Sequence, residues 1–206
     1  MNRAIAAIVG TTIVIIALAV WYIVALLAVP TATVQASTAQ AGHAALAIDI
    51  VANAGAGPHP DWVQYQTSDL NAHQGATIFK VPVNTWVTMT VKQYDSATGL
   101  RNSLFSLVQG TQDNIAYLNG KPFRTIPSDQ PGHTFAVPGL GLSVPLQGVP
   151  SNASSSTYEK IQFTFFSGRQ RHTYHWQCFV PCGWGAYGNG GPMSTFGYMG
   201  GWLVVG

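Results

Sequence analysis

Residues 4–29 of this 206-residue chain contain no charged side chain, and the stretch from Ile13 to Val24 is almost wholly aliphatic or aromatic. No other feature limits the possible structures as strongly. About 20 helical residues at 1.5 Å each cross a hydrocarbon layer roughly 30 Å thick, so the run predicts one transmembrane helix. The competing reading is a secretory signal, with small residues Thr38, Ala39, Gln40 and Ala41 beyond the run. Signal sequences, however, have apolar parts of only about 7–15 residues. Arg3 precedes the run and no Lys or Arg follows until Lys80, so the positive-inside rule places the N-terminus in the cytoplasm and everything after Pro30 outside. The expected location is the plasma membrane, crossed once. Pro30 cannot extend a helix, and the small, polar stretch that follows predicts a flexible tether. The expected divisions are an anchor at 1–30, a tether at 31–43 and an outer domain at 44–206.

The outer domain reads as β structure. Short apolar runs at 46–51, 77–81, 86–91, 134–137, 161–166, 172–177 and 202–205 are separated by Gly, Pro and Asn, with no 3.6-residue period. In the clearest run Trp86, Thr88, Thr90 and Lys92 alternate with Val87, Met89 and Val91, as on a half-buried strand. About seven such strands imply a sandwich or Greek-key barrel, with long polar loops at 96–131 and 147–157. Only 8% of residues are charged and the net charge is +2, with no cluster of Lys or Arg. That leaves no electrostatic footprint for nucleic acid. No nucleophilic triad or phosphate loop is evident either.

Two segments have the residue types of a soft-metal site. One is Gly132-His133-Thr134-Phe135-Ala136-Val137-Pro138, a His opening an apolar strand. The other is Gln177-Cys178-Phe179-Val180-Pro181-Cys182-Gly183, two Cys in a Gly-rich loop. Together they resemble the cupredoxin domain of subunit II of haem–copper terminal oxidases, where such segments build the dinuclear copper centre CuA. The region of Trp62 and Tyr65 and the turn before Trp86 look like the earlier strands of that family. The resemblance implies a mainly-β, cupredoxin-like Greek-key sandwich or barrel behind one transmembrane helix. It makes His133 an imidazole ligand and Cys178 and Cys182 the bridging thiolates, a donor set suited to copper.

The match is incomplete. The family has a second His four residues after the later Cys and a Met three beyond it, where this chain has Ala186 and Asn189. Val180 stands where the family has a Glu that binds through its main-chain carbonyl, which any residue supplies. The expected site is therefore vestigial and without copper, with copper as the alternative and Met193 as a possible axial ligand. His172, His175 and Met199 are the other donors nearby in sequence. Without metal, two extracytoplasmic Cys favour a Cys178–Cys182 disulfide, and His133 becomes a strand-end histidine near the domain tip. His43, His59 and His73 are expected in solvent. The aromatic C-terminal region (Trp176, Phe179, Trp184, Tyr187, Phe196, Tyr198, Trp202) is expected to divide between core and a lipid or subunit contact.

Within the family, members lacking CuA oxidise a membrane quinol. The resemblance thus implies a non-catalytic subunit II of a quinol oxidase in a respiratory chain. Haem and copper would then lie in a multi-span subunit I partner, and quinol would be reached through the complex. The alternatives are a membrane-tethered copper electron-transfer cupredoxin and a structural accessory subunit of another membrane complex. Of the seven acidic residues none lies in 160–206, and only Asp129 is near His133 in sequence. The carboxylate surface that steers soluble cytochromes is therefore not expected.

Overall fold

The computed structural model describes residues 3–26, 31–51, 58–68, 75–182 and 190–206. Arg3–Trp21 forms an α-helix, α1, continued by a wider turn at Tyr22–Leu26. Its stretch Ala7–Val24 has a mean hydropathy of 2.5 and none of it is buried. A helix apolar on every side and uncovered by its own domain needs an apolar surrounding, and this one is long enough to cross a membrane. The hydroxyls of Thr11 and Thr12 return to the carbonyls of Ala7 and Ile8, so both are satisfied within the helix.

The rest is the expected mainly-β, two-sheet sandwich. Its strands are β1 (Ala32–Gln35), β2 (Ser37–Gln40), β3 (His43–Val51), β4 (Gln64–Thr67), β5 (Ala76–Val81), β6 (Trp86–Gln93), β7 (Thr111–Leu118), β8 (Lys121–Phe123), β9 (Pro131–Val137), β10 (Leu142–Gln147), β11 (Glu159–Phe166), β12 (His172–Gln177) and β13 (Gly200–Val205). The first sheet has the order β1-β5-β13-β12-β9-β10. The second runs β2-β3-β6-β11-β7-β8, with β4 on β3. The inward faces bury Phe79, Phe135, Trp176 and Leu203 from one sheet against Ile48, Met89, Val91 and Phe163 from the other. In β6 the buried residues are Val87, Met89, Val91 and Gln93, so the predicted alternation runs to the end of the strand.

Two expectations need correction. Segment 31–43 is not a tether along its length, because β1 pairs in parallel with β5 in one sheet and β2 joins β3 in the other. Ala36 between them is buried and its N–H bonds to the carbonyl of Lys80. The sandwich therefore begins at Ala32, close behind the apolar run. Residues 96–131 are not one loop either, since they contain a short helical turn at Ser103–Ser106 and the hairpin β7–β8.

The registers define the two ends of the sandwich. Thr33, Ile78, Trp202 and His175 lie in one row across the first sheet, and Gly200, Gln177 and Ala136 in another. β1, β5 and β13 run parallel, whereas β12 is antiparallel to β13 and to β9. The starts of β1, β5, β13 and β9 and the finish of β12 therefore share one end, which is the end nearest α1 in the chain.

Candidate metal centre

At that end β9 and the loop after β12 bring together His133, Cys178 and Cys182. His133 is the third residue of β9 and is wholly buried near the start of that strand. Its neighbour Gly132 permits this placement. A Cβ there would lie 2.8 Å from both the side-chain amide of Gln93 and the carbonyl of Ser96, so only glycine lets β9 approach the end of β6 so closely. The approach delivers Asp95, whose Oδ2 is 2.9 Å from His133 Nε2. The opposite ring nitrogen, Nδ1, faces Cys178 Sγ at 3.8 Å, and Cys178 Sγ is 3.8 Å from Cys182 Sγ. One ligand atom from each of the three residues lies within 4.8 Å of the other two.

The surrounding backbone fixes the loop. Thr134 Oγ1 accepts from the N–H of Phe179 at 2.8 Å, and the Cys178 N–H donates to the carbonyl of Met199 at 2.9 Å. The Thr134 N–H and the Val180 carbonyl each lie 3.5 Å from Cys178 Sγ. Behind β9, the buried Tyr65 hydroxyl donates to the Thr134 carbonyl at 3.0 Å, and the indole of Trp176 donates to the Thr77 carbonyl at 3.1 Å.

Charge is arranged to match. Burial acts to lower the His133 pKa, but hydrogen bonds to Asp95 and Cys178, together with their charges, outweigh it and raise it from 6.5 to about 9. Burial raises the Asp95 carboxyl, yet the bond to His133, its charge and the Ser96 N–H bring it below 3.8. Burial also opposes ionisation of Cys178, whereas hydrogen bonds to Cys182 and His133 hold it well below the usual thiol range. Cys182 moves the other way, raised by its bond to Cys178 and then by burial. Without metal these interactions favour a charged Asp95–His133 pair and ease ionisation at the paired sulfurs beside it.

The sequence-predicted residues have separate fates. The three principal ligand candidates converge. The expected disulfide is not formed in this structure, since 3.8 Å exceeds a bonded S–S distance of about 2.05 Å. Met193 is buried in the turn Gly191–Ser194, whose docking on β12 is marked by the Gln177 side chain reaching the Met193 carbonyl at 3.5 Å. His172 and His175 are exposed on β12 and outside the cluster. Met199 is fully buried. Ala186, Asn189, Trp184, Tyr187 and His73 lie outside the described residues. His43 is exposed, but His59 is not simply solvated: it stacks on Trp62 with ring centres 3.6 Å apart. Asp95 escaped the sequence reading because 38 residues separate it from His133. The one available signal was an acid two residues beyond a strongly alternating strand.

A soft ion suits this donor set. It offers one imidazole nitrogen, two sulfurs and a nearby main-chain carbonyl, and His133 is oriented through its other nitrogen by a carboxylate, as metal-bound histidines commonly are.

No family model matches the chain, nor does any curated protein. Among solved structures, crystals of rusticyanin variants are 14% identical over 88% of this chain and 86% of that one, with a TM-score of 0.38. Reduced rusticyanin is 15% identical over 82% of this chain and 87% of that one, with a TM-score of 0.35. At that level the likeness adds nothing to what the two sheets already establish.

Proposed function

We propose that the outer domain holds copper on His133, Cys178 and Cys182 and passes single electrons at the outer surface of a membrane to which α1 anchors it. One observation supports this above the others: three soft donors converge within 4.8 Å, and the nitrogen of His133 not aimed at them is already engaged by Asp95. Copper, when bound, supplies a one-electron couple. The protein's part is to position and to desolvate. Asp95 accepts the Nε2–H and leaves Nδ1 as the ligating atom. Binding requires a deprotonated Nδ1 and deprotonated sulfurs, so metal uptake liberates acid. Full burial of His133 and Cys178 keeps water from the donors.

A second reading is favoured by Ala186 and Asn189, which stand where the oxidase family has its remaining side-chain ligands. In that reading the chain is a non-catalytic subunit II of a quinol-oxidising terminal oxidase, beside a multi-span subunit carrying haem and copper. Copper content separates the two. Full-length protein purified in detergent and equilibrated with copper should retain at least one ion per chain after gel filtration and absorb visible light through thiolate-to-copper charge transfer. Both properties should vanish in Cys178→Ser. Retention no greater than that of Cys178→Ser would favour the second reading.

A further inference from the structure

We propose that the anchor-side rim of the sandwich, Phe196 and Trp202 with His175 beside them, lies in the headgroup region of the bilayer, so that lipid is itself a binding partner of the outer domain. This rests on reading α1 as a membrane anchor. The rim is apolar and open: Phe196 is 38% and Trp202 41% exposed. Their ring centres are 5.9 Å apart, and His175 meets the edge of Trp202 at 5.4 Å. Indole and phenyl rings with one wet edge prefer the membrane–water boundary to either phase.

Chain length brings this rim to the membrane. The apolar run ends at Val29, four residues before Thr33, and four residues reach at most about 14 Å. Thr33, Ile78 and Trp202 share a row on successive strands, so Trp202 stands two strand spacings, about 10 Å, from Thr33. With β1 built into the sheet there is no long tether to lift the domain away. No acid occurs between Lys160 and Gly206, so β12, β13 and the segment between them carry no carboxylate of their own to repel phosphate headgroups, and the adjoining turn brings one exposed acid, Asp61, near Tyr198.

The molecule contains its own comparison. Trp86 is exposed to a similar degree, 37%, but it opens β6 opposite His43, and β6 runs from there toward Asp95 and the cluster. Trp86 therefore sits at the end of the sandwich remote from the anchor. Trp21, in α1, is 59% exposed and reports on insertion.

The test uses full-length protein with its six tryptophans replaced by 5-fluorotryptophan, in phosphatidylcholine nanodiscs with and without headgroup-nitroxide lipid. Single Trp→Phe variants assign the fluorine resonances. The expected result is a several-fold loss of signal at Trp21 and Trp202 with Trp86 retained, and a weaker loss at Trp202 in Phe196→Ser. Loss at Trp21 with Trp202 as intense as Trp86 would overturn the inference, leave the anchor standing and reserve the rim for a protein partner. Retention of Trp21 would overturn the anchor reading and this inference with it.

Discussion

Asp95 determines which face of the His133 ring meets the two sulfurs. Its carboxylate takes the Nε2–H at 2.9 Å and leaves Nδ1 3.8 Å from Cys178 Sγ. In Asp95→Asn the shape survives but the charge does not, and loss of such a partner typically weakens metal binding by about 10–100-fold. Copper affinity measured by competition with a chelator should fall by that amount; an unchanged value would show that Asp95 does not position the ligand. The same pair links the stability of the metal-free protein to pH. The Asp95 carboxyl is held below 3.8, so its contribution is present above that value and is lost as pH falls through the lowered pKa. His133 is raised from 6.5 to about 9, so its contribution is complete below 6.5 and is lost as pH rises through about 9. The melting-temperature gap between wild type and Asp95→Asn should therefore be widest between about pH 4 and 6.5 and narrow on both sides. A gap that does not vary with pH would mean that the two groups are not paired in solution.

Among the elements, β13 has the least room to vary. A Cβ on Gly201 would lie 1.9 Å from the Thr77 carbonyl and 2.8 Å from the Trp176 indole nitrogen, the two atoms that bond to each other. A Cβ on the adjacent Gly200 meets nothing nearer than 3.5 Å. Gly201→Ala should consequently cost about 2–4 kcal/mol in chemical unfolding, because β13 must part from β5. Gly200→Ala should change stability by less than about 1 kcal/mol. Equal effects would place the constraint elsewhere than in this close approach. Sequence made β6, β9, β11 and β12 legible, because each combines alternation or a continuous apolar run with turn residues at its ends. It did not reveal β1 and β2, four residues each and built from Ala, Thr, Ser, Val and Gln, whose order comes from the strands they join. β7 was hidden for a related reason: its burial is irregular, so period two does not show. The ligand trio was legible through the resemblance that its two segments carry, whereas Asp95 depended on β6 and β9 meeting in space.

At the scale of the whole molecule, the cluster shares its end of the sandwich with the start of β1, and charge is sparse throughout. Nine basic and seven acidic residues leave a net charge of +2. Among the described residues Asp95 is the carboxylate bonded to the cluster, and it is committed to His133. Steering a basic soluble cytochrome needs an exposed acidic surface whose field extends beyond the Debye length, about 10 Å at 0.1 M salt. Where such a surface exists, association is accelerated by about 10- to 1,000-fold and the gain falls steeply with salt. Among the described residues no cluster of exposed acids adjoins Asp95 and its partners, so the proposed electron-transfer role predicts no electrostatic gain with a soluble donor. Stopped-flow mixing of the copper-loaded, full-length protein with reduced cytochrome c should therefore give a slow reaction whose rate changes by less than about threefold between roughly 10 and 200 mM salt. A fast reaction that collapses as salt is added would reveal an acidic docking face for a soluble donor.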